Sequence, residues 1–307
     1  MRIAPSRRLS AVDDPRLLWT AARRRRSAMS FHSWADLLRR RLATIRRLDT
    51  ARATVYSIET VTESGMFQKL ARVIRTFRAH RADPEGIIAA VQSFDAVGEL
   101  LGRGDGTMRR RMLESETGRH FLDERHDILA IVSNRDWLRT LPEGSLGREY
   151  LRFAEDRQFF PEDLAATVRE ARAATGGFVP NATPETAYLH DRFRDLHDIW
   201  HVVTGYDTDM GGEWGLIAFQ SQQVAYRSMM VVAFTSCMRV ALHGRLDLVR
   251  VWFEGRRRAK QAPFLLALDW EDWLLRPLDE VRHELCLDPP PTYRRFDYPE
   301  SWKAAAA

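Results

Sequence analysis

The chain has 307 residues, 45% of them hydrophobic and 29% charged, which is enough apolar material for one large core or two small ones. Its formal charge of +5 is uneven: residues 1–50 carry +9 and the remainder sums to −4, so the body of the protein is not basic and no nucleic-acid partner is expected. Two cysteines, Cys237 and Cys286, can form neither a disulfide framework nor a cysteine-only zinc site, which fits a reducing compartment.

Residues 1–30 are Arg-rich and lack a clear period, so they read as an arm. They also lack the continuous apolar core of a secretory signal, and the protein is expected to stay inside the cell. The stretch "SWADLLRRRLATIRRLD" then sets Trp34, Leu37, Leu38, Leu42, Ile45 and Leu48 on one side of a helix, with Arg39, Arg40, Arg46 and Arg47 largely opposite. This basic amphipathic segment, residues 34–48, is a candidate for reversible attachment to an anionic membrane surface.

Helical periodicity predicts further helices around 65–80, 84–101, 107–115, 122–140 and 146–156. After the loop "TGGFVPNATPET", Thr183 and Pro184 read as an N-cap and a first helical proline. A long helix should run from there to Thr204 and close at Gly205. A second should run from about Glu213 to His243, followed by helices at 246–261 and 269–286. No alternating run suggests a sheet, so the expected fold is all-α: a single compact multi-helix domain over 51–295, with the basic arm at 1–50 and a tail at 296–307. The apolar stretch from Ser228 is interrupted by Arg239 and falls short of the roughly 20 residues a membrane span needs.

Chemistry concentrates in "HDIWHVVTGYDTDMGGEWG", residues 197–215. Spacing of four puts the imidazoles of His197 and His201 one turn apart on the same side of a helix, where two nitrogens can share a cation. Asp198 is rotated about 100° away and reaches that position only from the flank, as a ligand, a base or a partner of the ligands. Eleven residues including Gly205, Gly211 and Gly212 then let the chain turn back, so that Glu213 faces the histidines. Two imidazoles with one or two carboxylates suit zinc or another divalent ion of moderate hardness, and disfavour magnesium.

The pattern His197-Asp198-Ile199-Trp200-His201, eleven residues, Glu213 resembles the hallmark of the Coq-four family of ubiquinone-biosynthesis proteins. "RFRDLHD" before it, "LPEGSLGREYLRFAEDR" at 141–157 and "WEDWLLRPLDEVRHELCLDPPP" at 270–291 look like that family's flanking blocks in the same order. The resemblance implies an all-helical protein acting on polyprenylated hydroxybenzoate precursors of coenzyme Q, with oxidative decarboxylation that replaces the ring carboxyl by hydroxyl, and a scaffold role towards other quinone-biosynthesis proteins. It carries metal ligation over to His197, Asp198, His201 and Glu213. The chain departs from the family in the next helix, where members often have an acidic residue and a later Pro-Met but this sequence reads "AFQSQQVAYRSMM", with Gln220 and no proline.

Arg194, one turn before His197, is placed to orient a substrate carboxylate, with a salt bridge to a residue such as Asp198 as the plainer alternative; Asp198 and Arg194 are thus the catalytic candidates. Trp214, Ile217, Phe219 and Val224 could line a groove for a polyprenyl tail, or simply be core. No Gly-rich dinucleotide loop is visible, so neither flavin nor nicotinamide is expected. The implied partners are the prenylated precursor, other pathway proteins, a membrane surface and a second copy of the chain in a homodimer. The expected location is cytoplasmic, peripheral on the inner face of a bacterial membrane. Two other classes stay open: a non-catalytic scaffold or prenyl-lipid carrier, and a metal-dependent phosphohydrolase, which needs a further upstream His and a downstream Asp as ligands, with His126, His190 and Asp247 as nominal candidates.

Overall fold

The computed structural model of the protein describes residues 59–102, 104–174, 183–299 and 302. The basic amphipathic segment 34–48 and most of the loop at 175–186 lie outside the described residues. Among the described residues the chain is all-α, with fifteen α-helices, one 3-10 turn and no strand, and Gly65–Ala307 is one compact unit.

In chain order the helices are α1 Glu59–Ala82, α2 Ile87–Leu101, α3 Asp105–Met112, α4 Glu116–Glu124, α5 Ile128–Val132, α6 Arg135–Thr140, α7 Leu146–Arg157 and α8 Pro161–Ala173. They continue as α9 Pro184–Asp195, α10 His197–Thr204, α11 Met210–Val224, α12 Arg227–Leu242, α13 Asp247–Gln261, α14 Trp270–Trp273 and α15 Leu278–Glu284.

Several expected helices are shorter than apolar periodicity suggests, because capping side chains restart the chain inside an apolar pattern. The span expected at 122–140 is three helices: Arg125 adopts a left-handed conformation, then Asp127 accepts from Ala130 N (3.2 Å) and Asn134 from Trp137 N (3.1 Å). Helix α8 was not anticipated at all, although Pro161 opens it and Asp163 accepts from Phe160 N. The helix expected over 184–204 has the predicted ends, Thr183 accepting from Thr186 N and Gly205 left-handed at φ 77°. It is interrupted at Leu196, where φ is −86° and ψ is −4°, so that α9 and α10 are separate helices. The helix expected from Glu213 to His243 begins earlier, capped by Asp209, and breaks at Ala225, which takes φ 57°.

The main core joins Trp200, Phe219, Tyr150, Tyr206, Leu265 and Trp270, all essentially inaccessible to solvent. Full burial of such a side chain contributes about 1.5–3 kcal/mol. A second cluster holds Trp214, Trp252, Cys237 and Phe296. Helix α11 packs most extensively along α13. The close approach depends on Gly255, where a Cβ would stand 2.2 Å from the Gly215 carbonyl oxygen. Two buried arginines tie loops to this frame. Arg192 donates to the Leu266 and Leu268 carbonyls, and Arg258 to those of Thr204, Leu287 and Pro289. The end of α10 is thereby fixed against the segment after α15, which holds the helix carrying the two histidines in place.

Candidate metal centre

His197 opens α10, His201 lies one turn along it, and Glu213 sits in the first turn of α11. The return between them is rigid. Asp209 caps α11 by accepting from Gly211 N (3.0 Å) and Gly212 N (3.3 Å), and the same carboxylate accepts from Phe296 N (2.9 Å) and the Tyr293 hydroxyl (2.8 Å). Gly212 is required there, since a Cβ would fall 2.0 Å from the Asp207 carbonyl oxygen. Glu213 is delivered across from the histidines by backbone geometry, as the glycine-rich spacing suggests.

The Nε2 atoms of His197 and His201 face each other at 3.2 Å. Glu213 Oε1 lies 3.3 Å from His201 Nε2, and its Oε2 lies 3.7 Å from His197 Nε2. His197, Asp198 and His201 each offer a ligand atom, all within 4.8 Å of one another. Two imidazole nitrogens on one tetrahedral zinc stand roughly 3.3 Å apart, given metal–nitrogen bonds of about 2.0–2.1 Å. The donor set therefore fits a single divalent cation. His201 Nδ1 is 2.9 Å from the Tyr206 carbonyl oxygen, which can only accept. In neutral His201 that contact fixes the proton on Nδ1 and leaves the Nε2 lone pair for a ligand.

Each group of the cluster is shifted by burial and by its neighbours. Burial lowers the His197 pKa, and neighbouring His201 lowers it further. Burial also acts to lower His201, but the Glu213 carboxylate overcomes it and holds that imidazole above its ordinary value. Burial works to raise Glu213, yet the two histidines hold its carboxyl below the usual range. Asp198 is raised by burial despite both histidines. It is buried and makes no hydrogen bond or ion pair with another described residue.

All four residues line one end of a cavity of about 600 Å³. Its walls are mostly apolar and come from distant helices, with Ile87, Val91 and Phe94 on α2, Val168 on α8, Phe193 on α9 and Val232 on α12, although Arg157 and Arg172 also line it. Of the expected groove residues, Trp214 and Ile217 line it, whereas Phe219 and Val224 are fully buried core. Arg194 also lines the cavity, but its Nε and Nη2 bind Asp195 (2.7 and 3.0 Å) and its Nη1 binds Asp191 (2.5 Å), not Asp198. The residues a phosphohydrolase would need are engaged elsewhere: His126 with Glu271, His190 with Asp105 and Asp247 with Arg245. Sequence reasoning missed Phe153, whose ring stacks on His201 at 5.6 Å, and the α2 and α8 walls.

Residues 71–291 match the family described as coenzyme Q (ubiquinone) biosynthesis protein Coq4. The chain belongs to the Coq4 family. A zebrafish protein named ubiquinone biosynthesis protein COQ4 homolog, mitochondrial, is 32% identical over 60% of this chain and 64% of its own length. An Aspergillus fumigatus relative named ubiquinone biosynthesis protein coq4, mitochondrial, is 30% identical over 70% of each chain. The Caenorhabditis elegans protein of the same description is 29% identical over 68% of this chain and 85% of its own. The match thus spans just under two thirds of the zebrafish relative and of the mouse one, at 66%. A crystal structure of a putative ubiquinone biosynthesis protein from Nostoc punctiforme shares the fold, with TM-score 0.53 and 22% identity over 72% of this chain and 97% of that one.

These names correct the cytoplasmic, bacterial inner-face location expected from the sequence, because the zebrafish, A. fumigatus and C. elegans Coq4 relatives are all named mitochondrial. The lack of a secretory apolar core does not separate the two locations. Mitochondrial targeting segments are amphipathic, Arg-rich and poor in acids, and have no such core.

Proposed function

We propose that this Coq4 protein binds one divalent cation, zinc or an ion of similar hardness, through His197, His201 and Glu213 with Asp198 at its flank. With it, the protein carries out oxidative decarboxylation of a polyprenylated hydroxybenzoate in ubiquinone biosynthesis. The observation that carries the reading is the junction of a converging His/His/Glu/Asp cluster with an apolar cavity of about 600 Å³. That volume lies within the about 300–1,000 Å³ typical of small-molecule sites. A polar aromatic head fits the cluster end, and an apolar tail fits the walls of α2, α8, α11 and α12.

Bound there, the ion supplies Lewis-acid stabilisation of negative charge on substrate oxygens. The chain's own residues do the rest. Phe153 and Phe193 bound the head and exclude water around it, and burial keeps Asp198 a proton acceptor or donor close to the reacting ring. Arg194, held by Asp191 and Asp195, presents positive charge to the carboxylate from the cavity wall. The ring carboxyl leaves as carbon dioxide; molecular oxygen is the external oxidant, one of its atoms entering the ring as hydroxyl and the other leaving as water with two electrons and two protons from an external reductant.

So apolar a substrate calls for access to a membrane. Among the described residues no helix is long and apolar enough to cross one. Helix α1 instead exposes Met66, Phe67, Leu70 and Ile74, which fall within one side of the helix. From Gly65 to Ala82 it carries Lys69 and four arginines with no acid. This composition supports attachment to an anionic bilayer surface, beside or in place of residues 34–48. Other quinone-biosynthesis proteins and a second copy of the chain are the proposed protein partners.

The test is conversion of a prenylated hydroxybenzoate by purified protein, aerobically and anaerobically, together with mass spectrometry of quinone intermediates in cells lacking it. Accumulation of the carboxylated precursor is expected. Normal quinone levels with a His201→Ala variant would instead favour a scaffold or lipid carrier.

A further inference from the structure

The two histidines differ in what holds their far nitrogens. His201 Nδ1 faces a carbonyl oxygen, which fixes its proton. His197 Nδ1 faces the side-chain amide of Gln220, with the amide nitrogen at 3.1 Å. Gln220 is fully buried, and its Oε1 has no hydrogen-bond partner. It lies seven residues, two turns, beyond Glu213 on α11, so one helix supplies both the carboxylate and the amide.

An amide end can donate or accept. If Gln220 donates to Nδ1, neutral His197 carries its proton on Nε2, the atom that faces His201 Nε2 and Glu213, and cannot ligate. If the amide turns end for end, its oxygen accepts from Nδ1–H and the Nε2 lone pair is freed. The half-turn exchanges two atoms of similar size and leaves the packing around α11 unchanged. We propose that Gln220 is a positioning residue that accepts the Nδ1 proton of His197 and so commits the Nε2 lone pair of that ring to the shared cation.

This rests on the metal reading above and adds a residue that it does not use. It differs from a packing role, because only an acceptor at position 220 performs it. Gln220→Leu keeps similar volume and removes the acceptor, whereas Gln220→Glu can only accept.

The experiment is zinc binding by the metal-free full chain in competition with a chelator, with thermal melts to compare folding. Gln220→Leu should bind about tenfold or more weakly than wild type, the usual cost of losing a partner behind a metal-bound histidine. Gln220→Glu should bind at least as tightly as wild type. In the zinc-bound wild type and Gln220→Glu, 15N-histidine NMR should find the His197 proton on Nδ1, a readout that holds even if Gln220→Leu fails to fold. Equal affinity of Gln220→Leu and wild type, or Gln220→Glu as weak as Gln220→Leu, overturns the role of Gln220 alone. Wild type that takes up no zinc overturns the metal reading and this inference together.

Discussion

Two buried aspartates flank the same turn and are treated in opposite ways. Asp209 is buried and accepts four hydrogen bonds, two from the start of α11 and two from the segment 293–296. Asp198 is buried nearly as deeply and has no hydrogen-bond or ion-pair partner among the described residues. A buried carboxylate without partners costs free energy, so it persists where something outside the chain completes it. Asp209 holds the architecture of the centre, and in the proposed function Asp198 is the residue that faces the bound cation and substrate.

The sharpest way to break that comparison is to neutralise each in turn. Asp198→Asn should lower conversion about 100-fold or more, the usual worth of a positioned acid or base, while the thermal midpoint stays level or rises. A midpoint that falls steeply would place Asp198 with the structural residues. Asp209→Ala leaves the Gly212 and Phe296 N–H groups and the Tyr293 hydroxyl without their acceptor, while Gly211 N keeps the Phe296 carbonyl, and should destabilise by about 2–4 kcal/mol in denaturant unfolding. Loss of activity at Asp209→Ala without loss of stability would contradict its structural assignment.

Much of the centre was legible in the sequence for a local reason. His197, His201 and the glycine-rich return to Glu213 act through helical spacing and a short turn, which a linear pattern records. The breaks at Leu196 and Ala225 were not legible, because neither residue is a glycine or proline that would announce one. Asp127, Asn134 and Asp209 are caps that composition does announce, but apolar periodicity running across them hides the restart. The cavity was the least readable part: Ile87, Phe94 and Val168 look like ordinary core on their own helices and become walls only when α2 packs against α8 and α12.

A smaller effect concerns access to the site. Phe67→Glu with Ile74→Glu should reduce flotation of the full chain on phosphatidylcholine vesicles containing an anionic lipid by about tenfold, since an interface buries these side chains only in part and realises a fraction of the about 1.5–3 kcal/mol that full burial of each contributes. Unchanged flotation would remove α1 from the membrane contact, and a truncation beginning near residue 50 would then test segment 34–48.

The smallest effect is expected at Arg194, whose guanidinium is already shared between Asp191 and Asp195. Arg194→Ala should keep the cation and lower conversion about tenfold, the scale of one charge-assisted hydrogen bond. Arg194→Lys should recover only part, because an ammonium cannot reproduce the planar fork. Wild-type conversion by Arg194→Ala would make it purely a structural pair.

The central claim is that the converging side chains of α10 and α11 hold one cation. Its most direct test is elemental analysis of protein purified without a histidine tag, wild type beside the His197→Ala/His201→Ala double variant. About one equivalent of a divalent metal per chain is expected in the wild type, as a single closed donor set requires, with a clear loss in the variant. Equal metal content in the two proteins, or none in either, would contradict it.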